Sequence, residues 1–405
     1  MNKSCSIFFY EGWLGVAPTV INLAKILANI GYSVIIYAGK HSDLIHPSSL
    51  DENITVVYFD KPKFVDCIKH QLWKIKLSSL HNLVDFITFA IQILLWNFKQ
   101  KNESLKREVS IGIDTNGSIL AWIESFIFKS CLVYLSLELT IENQFRKFDK
   151  IRQLLERLSF RNSSCLLIQD EDRCDFLCTQ LKYKHHQVFY LPNTVDYDAS
   201  IADQKCINNY FREVFQLDEE KYPYLVTQAG MLCDSVFAKE LATAFKNIRN
   251  GFALIYHERR KRDLEEPYIK LLKEINSKNL FLSLNPLPYE QIHQVFDATT
   301  IGLALYREID ENYAKIAKAS GKLSAYLQHG KPVIMSNLES LVKLNDKYKF
   351  GKVIQDISCS AEIESALQDI INNYELYSKN AKYCFEQEFM FSTKVEPFLN
   401  FINAY

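Results

Sequence analysis

Short apolar runs alternate with amphipathic helical segments along almost the whole chain, and this alternation limits the possible folds more than any other feature. Near the N-terminus the apolar run Ser6–Tyr10 precedes a helical pattern over Val20–Ile30, and a second apolar run follows at Val34–Tyr37. A strand, a helix and a strand in this order form a βαβ unit, in which the two strands are parallel. The alternation therefore predicts an α/β protein built on parallel sheets.

Two groups of strands are predicted, separated by a polar stretch at Asn193–Asn209. Beyond the first two strands, the predicted strands are Ile54–Phe59, Ile111–Asp114, Cys131–Leu137, Cys165–Gln169, Val188–Leu191, Tyr224–Gln228, Phe252–Tyr256, Leu280–Leu284, Ile301–Leu305 and Pro332–Met335. We expect two Rossmann-like, doubly wound domains at 1–195 and 196–385, with a C-terminal helix at 386–405 that can cross back to the first domain. Ligands of such sheets bind at the carboxyl ends of the strands, so we expect the two domains to face a central cleft.

Length and composition describe an ordinary globular protein. The chain has 405 residues, of which 48% are hydrophobic and 23% charged, with a formal net charge of −1, so no overall charge favours nucleic acid. Its ten cysteines contain no CxxC pair, and the closest spacing is Cys174 to Cys178, which indicates reduced thiols of a cytoplasmic protein rather than a disulfide framework or zinc site. The first strand leaves no room for a signal peptide, and no apolar run reaches the roughly 18 residues of a membrane-spanning helix.

The segment ASGKLSAYLQHGKPVIMSN, Ala319–Asn337, carries the strongest local signal for a ligand. Ser320 is a suitable N-cap and Gly330 a suitable helix end, so a short helix is predicted between them. Gly321 and Lys322 lie in its first turn. Free backbone N–H groups, the positive end of the helix dipole and one ammonium group together suit a phosphate. The alternative is that Gly321 and Lys322 only begin a surface helix.

The turn at 11–19 follows the first strand and contains a second, weaker signal. Gly12 and Gly15 lie directly after Glu11, at the end of the strand where ligands bind. The spacing Gly12-x-x-Gly15 lacks the third glycine of the dinucleotide fingerprint, so no nicotinamide site is predicted. We interpret this turn as a loop near an acceptor rather than a cofactor site.

Several segments resemble the GT-B glycosyltransferases, in particular bacterial sugar-nucleotide transferases close to family four. The resemblance covers nearly the whole chain, and its most specific part is SGKLSAYLQHGKPVIMSN, which resembles the donor-binding helix and strand. The other segments that carry it are YEGWLGVAPTVINLAKILANIGYSVIIYAG, VYLSLELT, FRNSSCLLIQDEDRCDFL, VFYLPNTVD and IGLALYRE. The resemblance implies a transferase that takes a nucleotide diphosphate sugar as donor and needs no further cofactor.

The resemblance also implies roles for single residues. Ser320, Gly321 and Lys322 would contact the diphosphate, and Asn337 and Glu339 would lie near the nucleoside or sugar. Tyr306 and Arg307 end the preceding strand at the same edge of the sheet. The implied acceptor is a glycan or a lipid-linked glycan of surface polysaccharide or glycoconjugate synthesis, without contact to nucleic acid.

Two departures from the family pattern weaken this analogy. Family-four members commonly carry two glutamates eight positions apart, and here Ala317 and Ala325 stand at those positions. The basic pair that often follows the glycine of the second domain is missing after Gly230. A basic cluster further along the chain could supply that positive charge instead, or it could be only a solvated loop. The cluster comprises His257, Arg259, Arg260 and Lys261.

Three carboxylates follow predicted strands of the first domain and are candidates for a general base. Glu11 and Glu138 are best placed to accept a proton from an acceptor hydroxyl, and Asp114 comes third. Each also has a structural alternative: Glu11 would cap the following helix, Glu138 would begin a helix at 140–160, and Asp114 would only order its loop. No Asp-x-Asp metal pair accompanies the donor segment, so we expect no metal. The stereochemistry of transfer stays open.

Residues 61–98 combine lysines with bulky apolar side chains. Such a combination is typical of helices that lie on an anionic membrane surface, although a core helix with a solvated face has the same composition. A peripheral contact with the inner face of the membrane is therefore one expectation. Two alternatives to a transferase also stand: a nucleotide-sugar epimerase or phosphorylase of the same fold, and a catalytically weak GT-B-like subunit that binds a partner transferase.

Overall fold

The computed structural model describes residues 3–41, 47, 50–74, 80–99, 107–139, 149–194, 209–248 and 251–405. These residues form two compact units, each built on one parallel sheet flanked by helices. The first unit contains the described residues up to Leu191 except Pro47, together with Ser392–Tyr405. The second contains Pro47 and the described residues of Pro192–Phe391. The predicted α/β class with two Rossmann-like sheets is confirmed.

The sheet of the first unit has seven strands, and all neighbouring strands are parallel. Their bounds are β1 Lys3–Phe9, β2 Tyr32–Gly39, β3 Ile54–Phe59, β4 Arg107–Ile113, β5 Cys131–Leu135, β6 Cys165–Ile168 and β7 Val188–Tyr190. The helices are α1 Pro18–Asn29, α2 Lys63–Lys74, α3 His81–Lys99, α4 Asp114–Phe128, α5 Asp149–Asn162 and α6 Glu171–Leu181. The strand order is β3-β2-β1-β4-β5-β6-β7, so successive strands are added in opposite directions on either side of the β1/β4 pair.

The sheet of the second unit has six parallel strands in the order β10-β9-β8-β11-β12-β13. Their bounds are β8 Tyr224–Ala229, β9 Phe252–His257, β10 Leu280–Ser283, β11 Ile301–Ala304, β12 Val333–Ser336 and β13 Gly351–Ile354. The helices are α7 Tyr210–Phe215, α8 Ala238–Phe245, α9 Pro267–Glu274, α10 His293–Asp297, α11 Glu311–Ala314, α12 Gly321–Gln328, α13 Glu339–Tyr348, α14 Ser360–Asn372 and α15 Tyr374–Glu388. A last helix, α16 Phe391–Ala404, follows and belongs to the first unit from Ser392 onward. The edge strand β13 was not predicted from the sequence.

Two glycines allow close approaches in the first unit. Gly117 lies in the first turn of α4, where a Cβ atom would stand 2.2 Å from the carbonyl oxygen of Phe8, so its absence lets α4 pack directly on β1. Gly12 has φ +71°, and a Cβ there would stand 1.8 Å from the carbonyl oxygen of Gly39. Both contacts lie close to the carboxyl end of β1, where the loop that carries Glu11 begins.

The last helix, α16, starts after α15 ends at Glu388, and the residues from Ser392 onward belong to the first unit. The ring of Phe189 in β7 packs against Phe398 and Phe401, with ring centres 5.9 and 5.5 Å away. At the helix end, the Lys3 ammonium donates to the Asn403 side chain at 3.3 Å. The C-terminal helix therefore closes one side of the first sheet.

Candidate sites at the switch points of the two sheets

Each sheet has one point where the strand order reverses, and the predicted site residues cluster at both. In doubly wound sheets the loops that leave this point diverge and form a crevice for ligands. In the first sheet Glu11 follows β1 and Asp114 follows β4, the two strands at the reversal. In the second sheet Gly230 follows β8 and Tyr306 follows β11, again the two strands at the reversal. The topology therefore brings together residues that are far apart in the sequence.

In the first unit, Asp114 connects the start of α4 with the loop after β5 through hydrogen bonds. Its Oδ1 atom accepts hydrogen bonds from the backbone N–H groups of Leu137 and Glu138, at 2.7 and 3.0 Å. Asp114 is the first residue of α4 and has φ +51°, a left-handed conformation that aspartate tolerates. The prediction that it ends a strand was wrong, because the backbone leaves the extended conformation there to aim this carboxylate at the two amides. These hydrogen bonds hold the loop after β5, whereas the predicted alternative was that Asp114 orders its own loop.

Glu11 is held beside this loop by an amide side chain. Its Oε1 atom accepts a hydrogen bond from Asn116 Nδ2 at 3.3 Å, whereas Oε2 is buried and takes no hydrogen bond from the residues that the structure describes. Burial raises the pKa of Glu11 above its usual 4.5, and the hydrogen bonds and the positive charge of Arg152 offset this only in part. Burial and the charge of Glu11 raise the pKa of Asp114 as well. The pKa values of both carboxyl groups are thus raised above those of ordinary carboxylates.

The structural alternatives for the other carboxylates have mixed outcomes. Glu11 does not cap the following helix: α1 begins at Pro18 after an uncapped Ala17, and the short 3-10 turn Leu14–Val16 that contains Gly15 has no side-chain cap either. Glu138 is exposed in the loop after β5, which ends at Leu135 rather than at Leu137. Residues 140–148 lie outside the described part of the chain, and α5 begins at Asp149.

Two residues of this cluster were missed from the sequence. Asn116 lies in the first turn of α4 and Arg152 in α5, a helix whose predicted role was only structural. A polar side chain in the first turn after a strand at the reversal point is a usable signal for Asn116. No comparable pattern identifies Arg152, because its approach to Glu11 depends on how α5 packs.

In the second unit, the start of α12 has the predicted geometry. The Oγ atom of Ser320 accepts a hydrogen bond from the backbone N–H of Leu323 at 3.1 Å, which makes Ser320 the N-cap, and Gly330 ends the helix region with φ +63°. The Tyr306 hydroxyl forms a hydrogen bond with Ser320 Oγ, and the Tyr306 N–H donates to Ser336 Oγ at 2.6 Å. The end of β11 therefore supports the N-terminus of the helix.

Lys322, the second residue of α12, places a cation at this helix start. Its Nζ atom lies 4.4 Å from the ring centre of Tyr306. Burial lowers the pKa of Lys322 to about 7; the nearby Cys233 acts in the opposite direction, and the positive charge of Arg259 lowers the pKa further. The positive charges of Lys322 on α12 and of Arg259, after β9, thus act on one another.

The loop after β8, next to the start of α12, is held by hydrogen bonds to the end of β9 and to the loop after β11. Gly230 has φ +108°, and its N–H donates to the His257 carbonyl oxygen at 2.9 Å. Arg307 closes the loop from the other side: its backbone N–H donates to Ser235 O at 2.8 Å, and its guanidinium pairs with Glu240 at 2.6 Å. The Arg307 guanidinium therefore already has an ion-pair partner, Glu240, in the second unit.

The basic cluster after β9 does not act as a unit. Arg259 is exposed, and its guanidinium reaches the Met231 sulfur at 3.9 Å, on the loop that faces Lys322. Arg260 is partly buried and Lys261 exposed in the same turn. His257 is buried, and burial lowers its pKa to about 4, so it is neutral at pH 7 and adds no positive charge. Arg259 is the member of the cluster whose charge reaches the candidate site.

The remaining predicted residues lie after β12. Asn337 is exposed and donates through Nδ2 to Gln355 Oε1 at 2.7 Å. Glu339, the first residue of α13, is exposed and pairs with Lys343 at 2.7 Å. Both lie at the same strand edge as Tyr306. Ala317 and Ala325 are buried, so the positions of the two family-four glutamates offer no carboxylate.

This chain matches known proteins in structure but not in sequence. No family model and no curated protein matches the sequence.

Solved structures match this chain over nearly its full length. Anabaena Alr3699/HepE, solved in complex with UDP and glucose, has a TM-score of 0.68 at 14% identity, with 100% of each chain covered. Sucrose-phosphate synthase from Thermosynechococcus elongatus has a TM-score of 0.67 at 13% identity, covering 99% of this chain and 98% of that one. WaaG, a glycosyltransferase involved in lipopolysaccharide biosynthesis, has a TM-score of 0.63 at 12% identity, covering 97% and 98%. These likenesses establish the GT-B fold.

Proposed function

We propose that this chain is a glycosyltransferase that moves a sugar from a nucleoside diphosphate donor to a hydroxyl group of a glycan or lipid-linked acceptor. The observation that carries the proposal is the chemistry at the two sheet reversals. One holds cationic side chains at a helix N-terminus, and the other holds two partly buried carboxyl groups, Glu11 and Asp114. A departing diphosphate requires N–H donors and positive charge, which the second unit offers, and an acceptor hydroxyl requires a proton acceptor, which the first unit offers.

The donor site begins at α12. The backbone N–H groups of Gly321 and Lys322 and the Lys322 ammonium would bind the diphosphate, and the Arg259 guanidinium would neutralise part of its charge. Because these groups already provide positive charge, we propose that transfer requires no metal ion. Uridine diphosphate is the first nucleotide to test, since the structural neighbour HepE was solved with UDP and with UDP-glucose.

Among the carboxylates we assign the role of base to Glu11. Its side chain is oriented by Asn116, and its raised pKa gives it more basicity than an ordinary carboxylate. Asp114 uses one oxygen to hold two backbone amides, so we assign it a positioning role for the loop that carries Glu138. Gly12 would keep the loop after β1 close to β2, and Gly15 would shape the turn that follows.

We further propose that the acceptor is reached at a membrane surface. Exposed apolar side chains lie on α2, on α3 and at the end of α4, and we call them together the apolar patch. The helices α2 and α3 pack against each other, and α3 and α4 contribute to one core cluster on the first sheet. On α3 the exposed apolar side chains fall on one helix face; they are Ile87, Ile91, Leu94, Leu95 and Phe98. The end of α4 adds Phe126 and Ile127, which are 86% and 62% exposed.

The charges around the apolar patch favour an anionic lipid surface. Lys63 and Lys74 are exposed on α2, next to Phe64 and the 64% exposed Trp73. Tryptophan and lysine at the edge of an apolar surface are typical of helices that lie at the headgroup level of a bilayer. Within the part of the chain that the structure describes, no helix is long and apolar enough to cross a membrane. We therefore propose peripheral attachment through this patch.

The replacement of both family-four glutamates by Ala317 and Ala325 favours one alternative, a GT-B-like subunit that binds a nucleotide without transferring sugar. An experiment on the purified chain separates the two. UDP binding is measured by titration calorimetry, and UDP release from a panel of UDP-sugars is measured by chromatography, both with and without EDTA. The transferase proposal predicts binding and slow release that EDTA does not change. Binding without release supports the subunit, conversion of the sugar without UDP release supports an epimerase, and failure to bind any nucleoside diphosphate overturns the donor site.

A further inference from the structure

Two cysteines on α6 lie one helical turn apart with their sulfur atoms side by side. The Sγ atoms of Cys174 and Cys178 are 3.9 Å apart. Cys174 is buried in the core cluster between α6 and the sheet, whereas Cys178 is partly exposed, and neither is in a disulfide.

We propose that Cys174 and Cys178 form a redox-active dithiol that a peroxide converts into a disulfide within α6. Residues four apart in a helix have Cα atoms roughly 6 Å apart, which lies inside the range that disulfides span. The two sulfur atoms need to approach by roughly 2 Å to reach bonding distance. Because Cβ atoms four residues apart in a helix are roughly 5–6 Å apart and those of a disulfide roughly 3.5–4.5 Å, the bond also requires the backbone of this helical turn to shift.

The two thiols have different roles because their surroundings differ. Cys178 is accessible to a small oxidant, and the hydrogen bond from Cys174 lowers its pKa, so a thiolate forms there first. The same hydrogen bond and burial raise the pKa of Cys174, which protects that thiol from direct oxidation. Cys178 is thus the attacking thiol and Cys174 the resolving thiol.

The reaction balances with hydrogen peroxide as oxidant. The Cys178 thiolate attacks one peroxide oxygen, the O–O bond breaks, and the hydroxide that leaves takes up a proton to become water. Cys178 is then a sulfenic acid. The Cys174 sulfur attacks the sulfur of this sulfenic acid, the S–S bond forms, the S–O bond breaks, and the second hydroxide leaves as water with the proton of the Cys174 thiol. Overall, two thiols and one peroxide give one disulfide and two water molecules.

Among the cysteines that the structure describes, a sulfur–sulfur contact is observed for Cys174 and Cys178 and for no other pair. Cys5, Cys131 and Cys165 are buried on three strands of the first sheet, and burial raises the pKa of each. Cys67 on α2 is exposed, but no sulfur contact is observed for it among the described residues. Cys67 therefore serves as an internal control for a thiol that is accessible but has no resolving partner.

The position of the dithiol links it to the carboxylate site. Arg173, adjacent to Cys174, donates through Nη2 to the carbonyl oxygen of Leu137 at 2.9 Å. Asp170 caps the same helix by accepting from the Arg173 N–H at 2.9 Å. A disulfide in the next turn would constrain the helix end that supports the loop of Glu138. The chemistry of the dithiol itself does not depend on the proposed transferase function.

The test is peptide mass spectrometry of the reduced full-length chain after one equivalent of hydrogen peroxide. We expect one internal disulfide within the peptide that contains both residues, seen as the loss of two hydrogen atoms and of both alkylatable thiols, while Cys67 stays reduced. In Cys174→Ser, and in Cys174→Ala as a second variant in case the first unfolds, Cys178 should instead be trapped by dimedone as a sulfenic acid. In Cys178→Ser, Cys174 should stay a thiol.

Circular dichroism melting identifies variants that remain folded, and Cys67→Ser should leave the disulfide unchanged. Oxidation of Cys67 ahead of Cys178, or wild-type protein that keeps both α6 thiols after peroxide, would overturn the proposal. A disulfide between Cys178 and any cysteine other than Cys174 would do the same, because it would mean that the observed sulfur contact does not guide the reaction.

Discussion

Lys322 stands over the ring of Tyr306, with its Nζ atom 4.4 Å from the ring centre. Tyr306 at the same time bonds through its hydroxyl to Ser320, the N-cap of the helix that carries Lys322. One aromatic side chain thus supports both the cation and the capping residue. The cation is already close to the helix start before any ligand arrives, which reduces the conformational entropy lost on binding an anion.

Removing the cation should weaken donor binding. Lys322→Ala is expected to reduce the affinity for UDP by about 1–3 kcal/mol, the usual scale for loss of a charged hydrogen bond. Titration calorimetry measures the change. Lys349→Ala is the matched control, because Lys349 is an exposed lysine of the same unit that pairs with Asp346 at 2.8 Å. Equal UDP affinity in wild type and Lys322→Ala would exclude Lys322 from the donor site.

Donor binding should also depend on pH through Lys322. Its pKa is about 7 in the free protein, where Tyr306, Cys233 and Arg259 surround it, and a bound diphosphate would raise that pKa. Below pH 7 the lysine is charged before and after binding. Above pH 7 the free protein has a neutral amine, so binding must take up a proton and affinity should fall as pH rises.

Calorimetry in buffers of different ionisation enthalpy detects this proton. A heat that is independent of the buffer at pH 8 would contradict the linkage. Folding stability provides a second readout. The pKa of Lys322 is lower in the folded chain than its usual 10.5, so its contribution to stability is present above pH 10.5 and is lost as pH falls through about 7. Lys322→Met should remove this part of the pH dependence.

Replacing the proposed base should slow turnover without affecting the donor. Glu11→Gln keeps the size of the side chain and one acceptor oxygen for Asn116, yet it cannot accept a proton, so turnover should fall by about 100-fold or more with unchanged UDP affinity. In wild type the rate should rise with pH through a pKa above the usual 4.5 of a glutamate. Steady-state kinetics across pH measures both effects. Glu138→Gln is the comparison, since that side chain is exposed.

The melting temperatures of the same variants distinguish catalysis from a structural role. The folded-state pKa of Glu11 is raised, so the group stabilises the fold below its usual pKa and this stabilisation is lost as pH rises through the folded pKa. At neutral pH, Glu11→Gln should therefore keep or slightly raise stability. Full activity in both Gln variants would remove a first-unit base from the mechanism and favour a retaining transferase or a subunit without activity.

The apolar patch should bind anionic bilayers. The protein is expected to sediment with phosphatidylserine-containing liposomes at low salt and to be released as salt rises, because lysine contacts with headgroups are screened. Replacing Leu94 and Phe98 on α3 by serine should abolish sedimentation. Leu376→Ser is the control, because Leu376 is 60% exposed on α15 of the other unit. Protein that stays in the supernatant at every salt concentration would show that the patch has another role.

Local sequence patterns were sufficient for most secondary structure. The apolar runs identified twelve of the thirteen strands in the described part of the chain, because a strand of a parallel sheet is buried on both faces and has a continuous apolar sequence. Strand β13, Gly351–Ile354, has a partly buried middle and a lysine, so its sequence lacks that signal. Ser320 and Gly330 were identified for a similar local reason, since capping depends on the side chain and backbone of single residues.

The sites depended on tertiary structure. That Glu11, Asn116 and Arg152 meet follows from the β1/β4 reversal and from the packing of α5, and neither depends on residues close in sequence. The same holds for Lys322 and Arg259, which come from α12 and the loop after β9. The sequence by itself determined which segments become strands and helices and which residues could carry charge, because those properties arise from neighbours along the chain. Only the folded structure decided which charged groups lie close together, because burial and proximity depend on contacts between segments distant in sequence. Those contacts set the pKa values on which the proposed chemistry relies.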